Sequence, residues 1–205
     1  MIIINFKNYV TGEKALALAK LIEKHLPKAI ICPPTNDITN ISQKTKLKVF
    51  SQYLPKNNSP KARGTLLNHS DHPLNFEKIK KAKKLADKNK LKVIICVGTT
   101  QQAEKFLSLK PWAMALEDKK LISTKKSITS FKQNEVKKFV AILKKTKIIP
   151  LCGAGIHSRE DVAAAKKLGC KGVLIASAIA NTPPKKAGKL LKEISRSYHA
   201  HHKSK

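Results

Sequence analysis

The chain reads as an α/β protein folded as one closed (β/α)8 barrel. Three observations predict this. Eight short, β-rich apolar runs recur along 205 residues. Stretches with helical periodicity separate them. The runs are apolar throughout instead of alternating, as strands buried on both faces are.

The runs, in order, are Ile2–Phe6, Ala29–Cys32, Leu47–Tyr53, Gly64–Asn68, Val93–Val97, Trp112–Leu116, Ile148–Cys152 and Gly172–Ala176. Between them, Phe76, Ile79, Ala82 and Leu85 mark one amphipathic helix, and Val136, Phe139, Val140 and Leu143 a second. Ala187, Leu190, Leu191 and Ile194 mark the last. Ser158, with Asp161 three residues on, starts another, and Gly169 after Leu168 stops it. An open doubly wound sheet is the alternative, but no Gly-x-Gly-x-x-Gly follows any run.

One connection is expected to lack its helix. Only ten residues separate Tyr53 from Gly64, among them Pro55, Pro60 and Asn57-Asn58-Ser59. Ten extended residues still reach roughly 33 Å, and returning along a five-residue strand needs about 17 Å. The crossover closes, and an uncovered patch on the barrel wall is expected. The barrel is assigned to residues 1–198. Residues 199–205 are assigned to a basic, histidine-containing tail that is expected to be disordered.

Composition excludes several classes. At 41% apolar the chain can bury a full core, and no run approaches membrane-spanning length. No secretory leader is legible, because Ile2 to Ile4 is too short and Asn5 follows it. Cys32, Cys96, Cys152 and Cys170 lack Cys-x-x-Cys spacing and are expected as reduced thiols. Cytoplasmic localisation, with no membrane contact, is the expectation. The net charge is +29, from 42 basic and 13 acidic residues, with arginine only at Arg63, Arg159 and Arg196. Such a balance binds polyanions non-specifically at low salt. The lysines are spread over nearly every helical stretch and aromatics are 5% of the chain, so no specific nucleic-acid partner is expected.

The chemistry-bearing residues sit at run ends. Gly64–Leu67 leads into Asn68-His69-Ser70-Asp71, placing an imidazole at the carboxyl end of a buried strand. If a helix begins there, its amino terminus disfavours protonation of His69. The first run ends in Asn5-Phe6-Lys7, an amide and an ammonium two apart, hence on one strand face. The sixth ends in Glu117. His72 and His157 are expected at the surface.

In this order, Asn5-Phe-Lys7, Asn68-His69-Ser70, Glu117 with Leu121-Ile-Ser-Thr124, Cys152-Gly-Ala-Gly-Ile156 and Gly172-Val-Leu-Ile-Ala-Ser177 resemble the triosephosphate isomerase family in its shorter archaeal form, from Met1 to about Lys192. The last two segments look like a phosphate-binding end common to unrelated barrels; the first two are the specific ones. The resemblance implies interconversion of dihydroxyacetone phosphate and glyceraldehyde 3-phosphate through an enediolate, a step of glycolysis and gluconeogenesis, without metal or organic cofactor. It assigns Glu117 as base and His69 as the group polarising the carbonyl, a pairing for which this family is itself the reference case. It makes Lys7 a catalytic and substrate-binding cation. Asn5, Ser123, Gly153, Gly155, Ala176 and Ser177 complete the substrate-binding set, the phosphate resting on backbone N–H groups. Asp118 to Lys126 would form a lid.

Departures from the archaeal pattern accompany the match. Asp118-Lys-Lys120 and Ser123-Thr-Lys125 stand where Pro-Pro-Glu and Gly-Thr-Gly are usual, which implies a stiffer lid. Asp71 replaces a glutamate, implying a looser contact to Lys7, and Ala178 replaces a glycine, implying crowding near the phosphate. The segment after the third strand, an interface in the family, is largely absent, so the homo-oligomer is expected to be weak or missing. Two other functions compete: a related barrel acting on another sugar phosphate, and a barrel that has lost isomerase activity and binds polyanions.

Overall fold

A computed structural model describes residues 1–54, 61–122, 124 and 126–200. Among them are eight parallel strands: β1 (Ile2–Asn5), β2 (Ile30–Cys32), β3 (Lys48–Val49), β4 (Gly64–Leu67), β5 (Lys92–Val97), β6 (Ala113–Leu116), β7 (Ile149–Cys152) and β8 (Gly172–Ile175). They are hydrogen-bonded in the order β3-β2-β1-β8-β7-β6-β5-β4. A bridge between Ser51 and Thr65 closes the ring, carried by Ser51 N–H to the Gly64 oxygen and Leu66 N–H to the Ser51 oxygen, both 2.9 Å. The predicted barrel is present, and seven of the eight predicted runs contain their strands; β5 begins one residue before its run, at Lys92.

Period-two side chains divide the strands between two apolar layers. Ile3, Ile30, Phe50, Leu66, Ile94 and Leu174 fill the barrel, while Ile4, Ile31, Val49, Leu67, Ile95 and Val173 point to the helices. The helices are α1 (Gly12–His25), α2 (Ile38–Lys44), α3 (Phe76–Lys88), α4 (Thr100–Phe106), α5 (Ile128–Phe131), α6 (Gln133–Leu143), α7 (Arg159–Lys167), α8 (Ser177–Ala180) and α9 (Pro184–Ala200). Their starts are written in polar side chains: Asn75 caps α3, Thr99 caps α4, and Ser158 with Asp161 forms a reciprocal capping box on α7. Gly169 stops α7 at φ 98°. The last helix runs through Ala200, two residues past the predicted barrel boundary, and the rest of the tail, 201–205, lies outside the described residues.

The connection from β3 to β4 shows no helix among its described residues; Pro55 to Pro60 lie outside them. The expected bare patch is corrected. The outward side chains Val49, Thr65 and Leu67 are all buried. α2 packs on β3 and α3 on β4, and Leu54 and Ala62 settle half-buried against the same core. Short apolar side chains on the connection thus do part of a helix's work. No described helix is long and apolar enough to cross a membrane, and the four cysteines are free and buried.

Candidate active site

The carboxyl ends of β1, β4, β6, β7 and β8 open on one pocket, the end of the barrel where the loops are free to carry chemistry. Lys7, His69, Glu117, Gly155, Ala176 and Ser177 line it.

β1 stops at Asn5, and Lys7 lies beyond it in a left-handed turn at φ 47°. The strand-face argument for this pair therefore does not apply. The turn brings the two side chains to one place by another route. The Asn5 Oδ1 accepts the Lys7 N–H at 2.9 Å, and Gln52 Nε2 donates to the Lys7 oxygen at 2.7 Å. With its backbone held on both sides, Lys7 extends its ammonium to Asp71 Oδ1 at 3.1 Å. Aspartate is long enough for this contact, so the expected loosening is corrected.

β4 delivers His69 through Asn68, itself left-handed at φ 60°. Asn68 Nδ2 donates to the Cys96 oxygen at 2.8 Å and its Oδ1 accepts the Leu74 N–H at 2.9 Å, bracing the loop from both sides. His69 is 3% exposed. No helix begins at this residue, because α3 starts only at Phe76. A hydrogen-bonded turn takes its place: the Asp71 N–H donates to His69 Nδ1 at 3.3 Å. A backbone amide can only donate, so Nδ1 is an acceptor and a neutral ring carries its proton on Nε2. That nitrogen lies 3.4 Å from Asn5 Nδ2. Because Asn5 Oδ1 is already occupied by Lys7, Asn5 Nδ2 and His69 Nε2 face each other as two donors.

β6 supplies Glu117, 7% exposed. Its Oε1 lies 3.7 Å from His69 Nε2, while its Oε2 is buried without a hydrogen-bond partner among the described residues. Buried carboxylate oxygens are rarely left so, and one that is invites a functional account. Gly153, at the end of β7, makes room for it: a Cβ there would stand 2.9 Å from Oε1 and 3.0 Å from Cγ. The Gly153 N–H itself donates to the Leu116 oxygen at 2.9 Å. Below, burial pushes the Cys96 thiol up, and the neighbouring Glu117 pushes it further, so it is no nucleophile.

β7 and β8 form the far wall. Gly155, at φ 67°, has the Lys126 oxygen so close that a Cβ would fall 2.0 Å from it. Ala176 precedes the single turn of α8, which begins at Ser177. Ala178 packs half-buried against the core and is not among the residues lining the pocket. In the lid, Ile122 and Thr124 face the pocket. The Thr124 hydroxyl donates to the Leu121 oxygen at 2.9 Å and accepts the Lys126 N–H at 3.1 Å. Ser123 lies outside the described residues.

Asn5 and Gly153 stand behind the lining, holding His69 and accommodating Glu117. Tyr9 and Gln52 joined the site unannounced, since nothing in their spacing singles them out. His157 was expected at the surface, which it reaches. It is half-exposed, yet it borders the pocket.

Comparison with known proteins agrees with this geometry. A sequence model described as triosephosphate isomerase matches residues 57–192. A triosephosphate isomerase of Saccharolobus solfataricus is 34% identical over 200 residues, covering 87% of this chain and 88% of the relative. Those of Pyrobaculum islandicum and Methanothermus fervidus are 32% and 30% identical over 87% of this chain, covering 87% and 90% of their own lengths. Among solved structures, the triosephosphate isomerase of Bartonella henselae superposes with a TM-score of 0.71 over 97% of this chain and 98% of its own. At 15% identity that likeness speaks for the fold alone. With matches spanning most of its length on both sides, the chain belongs to the triosephosphate isomerase family.

Proposed function

We propose that the chain interconverts dihydroxyacetone phosphate and D-glyceraldehyde 3-phosphate by proton transfer through an enediolate. The observation that carries this reading is a buried Glu117 carboxylate, its Oε2 without a partner among the described residues and its Oε1 3.7 Å from His69 Nε2, with Asn5 Nδ2 beside that nitrogen. A proton on carbon makes no useful hydrogen bond in the ground state. A base for it is therefore a carboxylate oxygen kept free. The carbonyl beside that carbon becomes an oxyanion as the proton leaves, and donors already oriented for it stabilise the charge without rearranging.

In dihydroxyacetone phosphate, Glu117 takes a proton from C1. His69 Nε2–H and Asn5 Nδ2–H receive the developing charge on O2, and the Lys7 ammonium adds a full positive charge to the site. Glu117 then returns its proton to C2. The hydroxyl proton leaves O1 as O2 gains one, and the imidazole, with its single proton on Nε2, is the group placed to exchange them. The reaction is redox-neutral and balanced by protons alone. Asp71 keeps the ammonium in place and its amide keeps the tautomer. Gly155, Ala176 and Ser177 offer amides for the phosphate, an arrangement that loops after β7 and β8 with a short extra helix commonly serve. Gly153 takes part through the room it leaves for the base. The lid, from Asp118 to Lys126, excludes water that would let the enediolate lose phosphate.

The test is turnover of the purified chain on glyceraldehyde 3-phosphate beside a panel of longer sugar phosphates. Selective turnover of the triose phosphate is expected. A folded protein inert on it, or equally active on the larger substrates, contradicts the assignment.

A further inference from the structure

The turn after β7 carries strained backbone at the barrel mouth. Ala154 and Gly155 are consecutive left-handed residues, at φ 65° and 67°. For alanine this region costs roughly 1 kcal/mol or more, and it persists only where the surroundings hold it. One hold is backbone: the Ala154 oxygen accepts the Ile128 N–H at 3.2 Å. The other is a side chain, because His157 Nδ1 is hydrogen-bonded to the Gly155 oxygen. A carbonyl only accepts, so Nδ1 carries the proton and donates it.

His157 is in turn fixed by Asp161. The carboxylate Oδ2 accepts the His157 N–H at 3.1 Å and lies 3.6 Å from Nδ1. Ser158 Oγ donates to the same oxygen at 2.9 Å, and Thr129 Oγ1 reaches Oδ1 at 3.3 Å. Asp161 is also the third residue of the α7 capping box. The histidine thus hangs from a rigid helix start.

A trans peptide points its carbonyl and the following N–H in opposite directions. Holding the Gly155 carbonyl on the imidazole therefore turns the Ile156 N–H to the other side. Neither the Gly155 nor the Ile156 N–H has a hydrogen-bond partner among the described residues, and both residues line the pocket with His157. Adjacent unpaired amides bordering a concavity favour an anion.

We propose that His157 is a positioning residue for the substrate phosphate, a strut from Asp161 to the Gly155 carbonyl that sets the Ile156 amide toward the anion, beside the Gly155 amide that the Ala154–Ile128 hydrogen bond holds. This rests on the triose phosphate reading above. The test compares wild type, His157→Ala and His157→Asn, since asparagine retains a donor close to the Nδ1 position. Three quantities are read: KM for glyceraldehyde 3-phosphate, competition by inorganic phosphate, and kcat/KM on unphosphorylated glyceraldehyde. Loss of one hydrogen bond predicts that alanine weakens both phosphate-dependent constants together by about fivefold to tenfold. Its loss on glyceraldehyde is expected to be smaller, and asparagine to recover most of the difference. Unchanged phosphate-dependent constants in the alanine variant overturn the inference, as does an equal loss on both substrates. Calorimetric titration with inorganic phosphate runs alongside. Were the wild type folded but inert as an isomerase, the functional reading would fall alone. The titration would still decide the strut: weaker binding with alanine and not asparagine supports it, and equal binding in all three overturns it.

Discussion

At the scale of single residues, the site is an arrangement of occupied and unoccupied hydrogen-bonding atoms. Asn5 Oδ1 and His69 Nδ1 are both engaged by backbone amides, which commits Asn5 Nδ2 and His69 Nε2 to act as donors. Glu117 Oε2 has no hydrogen-bond partner among the described residues, and Gly153 leaves room for the side chain, since a Cβ there would stand 2.9 Å from Oε1. Gly153→Ala is accordingly expected to displace the carboxylate. A shift of about 1 Å in a catalytic group costs on the order of a hundredfold in rate, so kcat should fall by roughly tenfold to a hundredfold while the far-ultraviolet circular dichroism stays that of wild type. Full activity in that variant would mean that Glu117 has slack the structure does not show. Sequence made Asn5, Lys7, His69 and Glu117 legible because their types and order are specific. The distinct task of Gly153 was not legible, because a glycine that donates an N–H and one that makes room look alike in one dimension.

At the scale of elements, α7 links stability to the phosphate end of the pocket. Burial alone would raise the Asp161 pKa, but hydrogen bonds from the His157 amide, from Ser158 and from Ser127 outweigh it and hold the carboxyl below its usual range. A carboxyl with a lower pKa folded than unfolded stabilises the fold above its unfolded pKa of about 3.9. That contribution is lost as pH falls through the folded value. Asp161→Asn should therefore lower stability at neutral pH, by about 1 kcal/mol from the damaged cap. It should also flatten the acid limb of the stability curve, as followed by urea denaturation from pH 7 down to pH 3. An acid limb as steep as wild type's would remove Asp161 from the account. The capping box was readable as Ser158 and Asp161 three apart. The turn that holds His69 was not, because apolar periodicity marks the helix from Phe76 but not the hydrogen bonds of the polar residues before it.

At the scale of the whole molecule, the barrel tolerates a connection too short for a helix because Ser51 and Thr65 still close the ring and neighbouring helices cover the wall. By the family resemblance the shortened segment is an interface between copies. We expect a monomer or a weak oligomer at micromolar concentration, a state that sedimentation velocity reads directly; a stable tetramer would contradict it. Fold class was visible from eight doubly apolar runs, since burial on both faces leaves an unmistakable composition. How the wall is covered was not visible, because it depends on where α2, α3 and the half-buried Leu54 and Ala62 come together in space. All these features serve one chemical claim, that Glu117 moves a proton between adjacent carbons. The most direct measurement is kcat on glyceraldehyde 3-phosphate for wild type and Glu117→Gln, with both proteins verified as folded. Removing a general base predicts a fall of about 10²- to 10⁴-fold in the variant. Equal turnover in the two proteins would contradict the account at its centre.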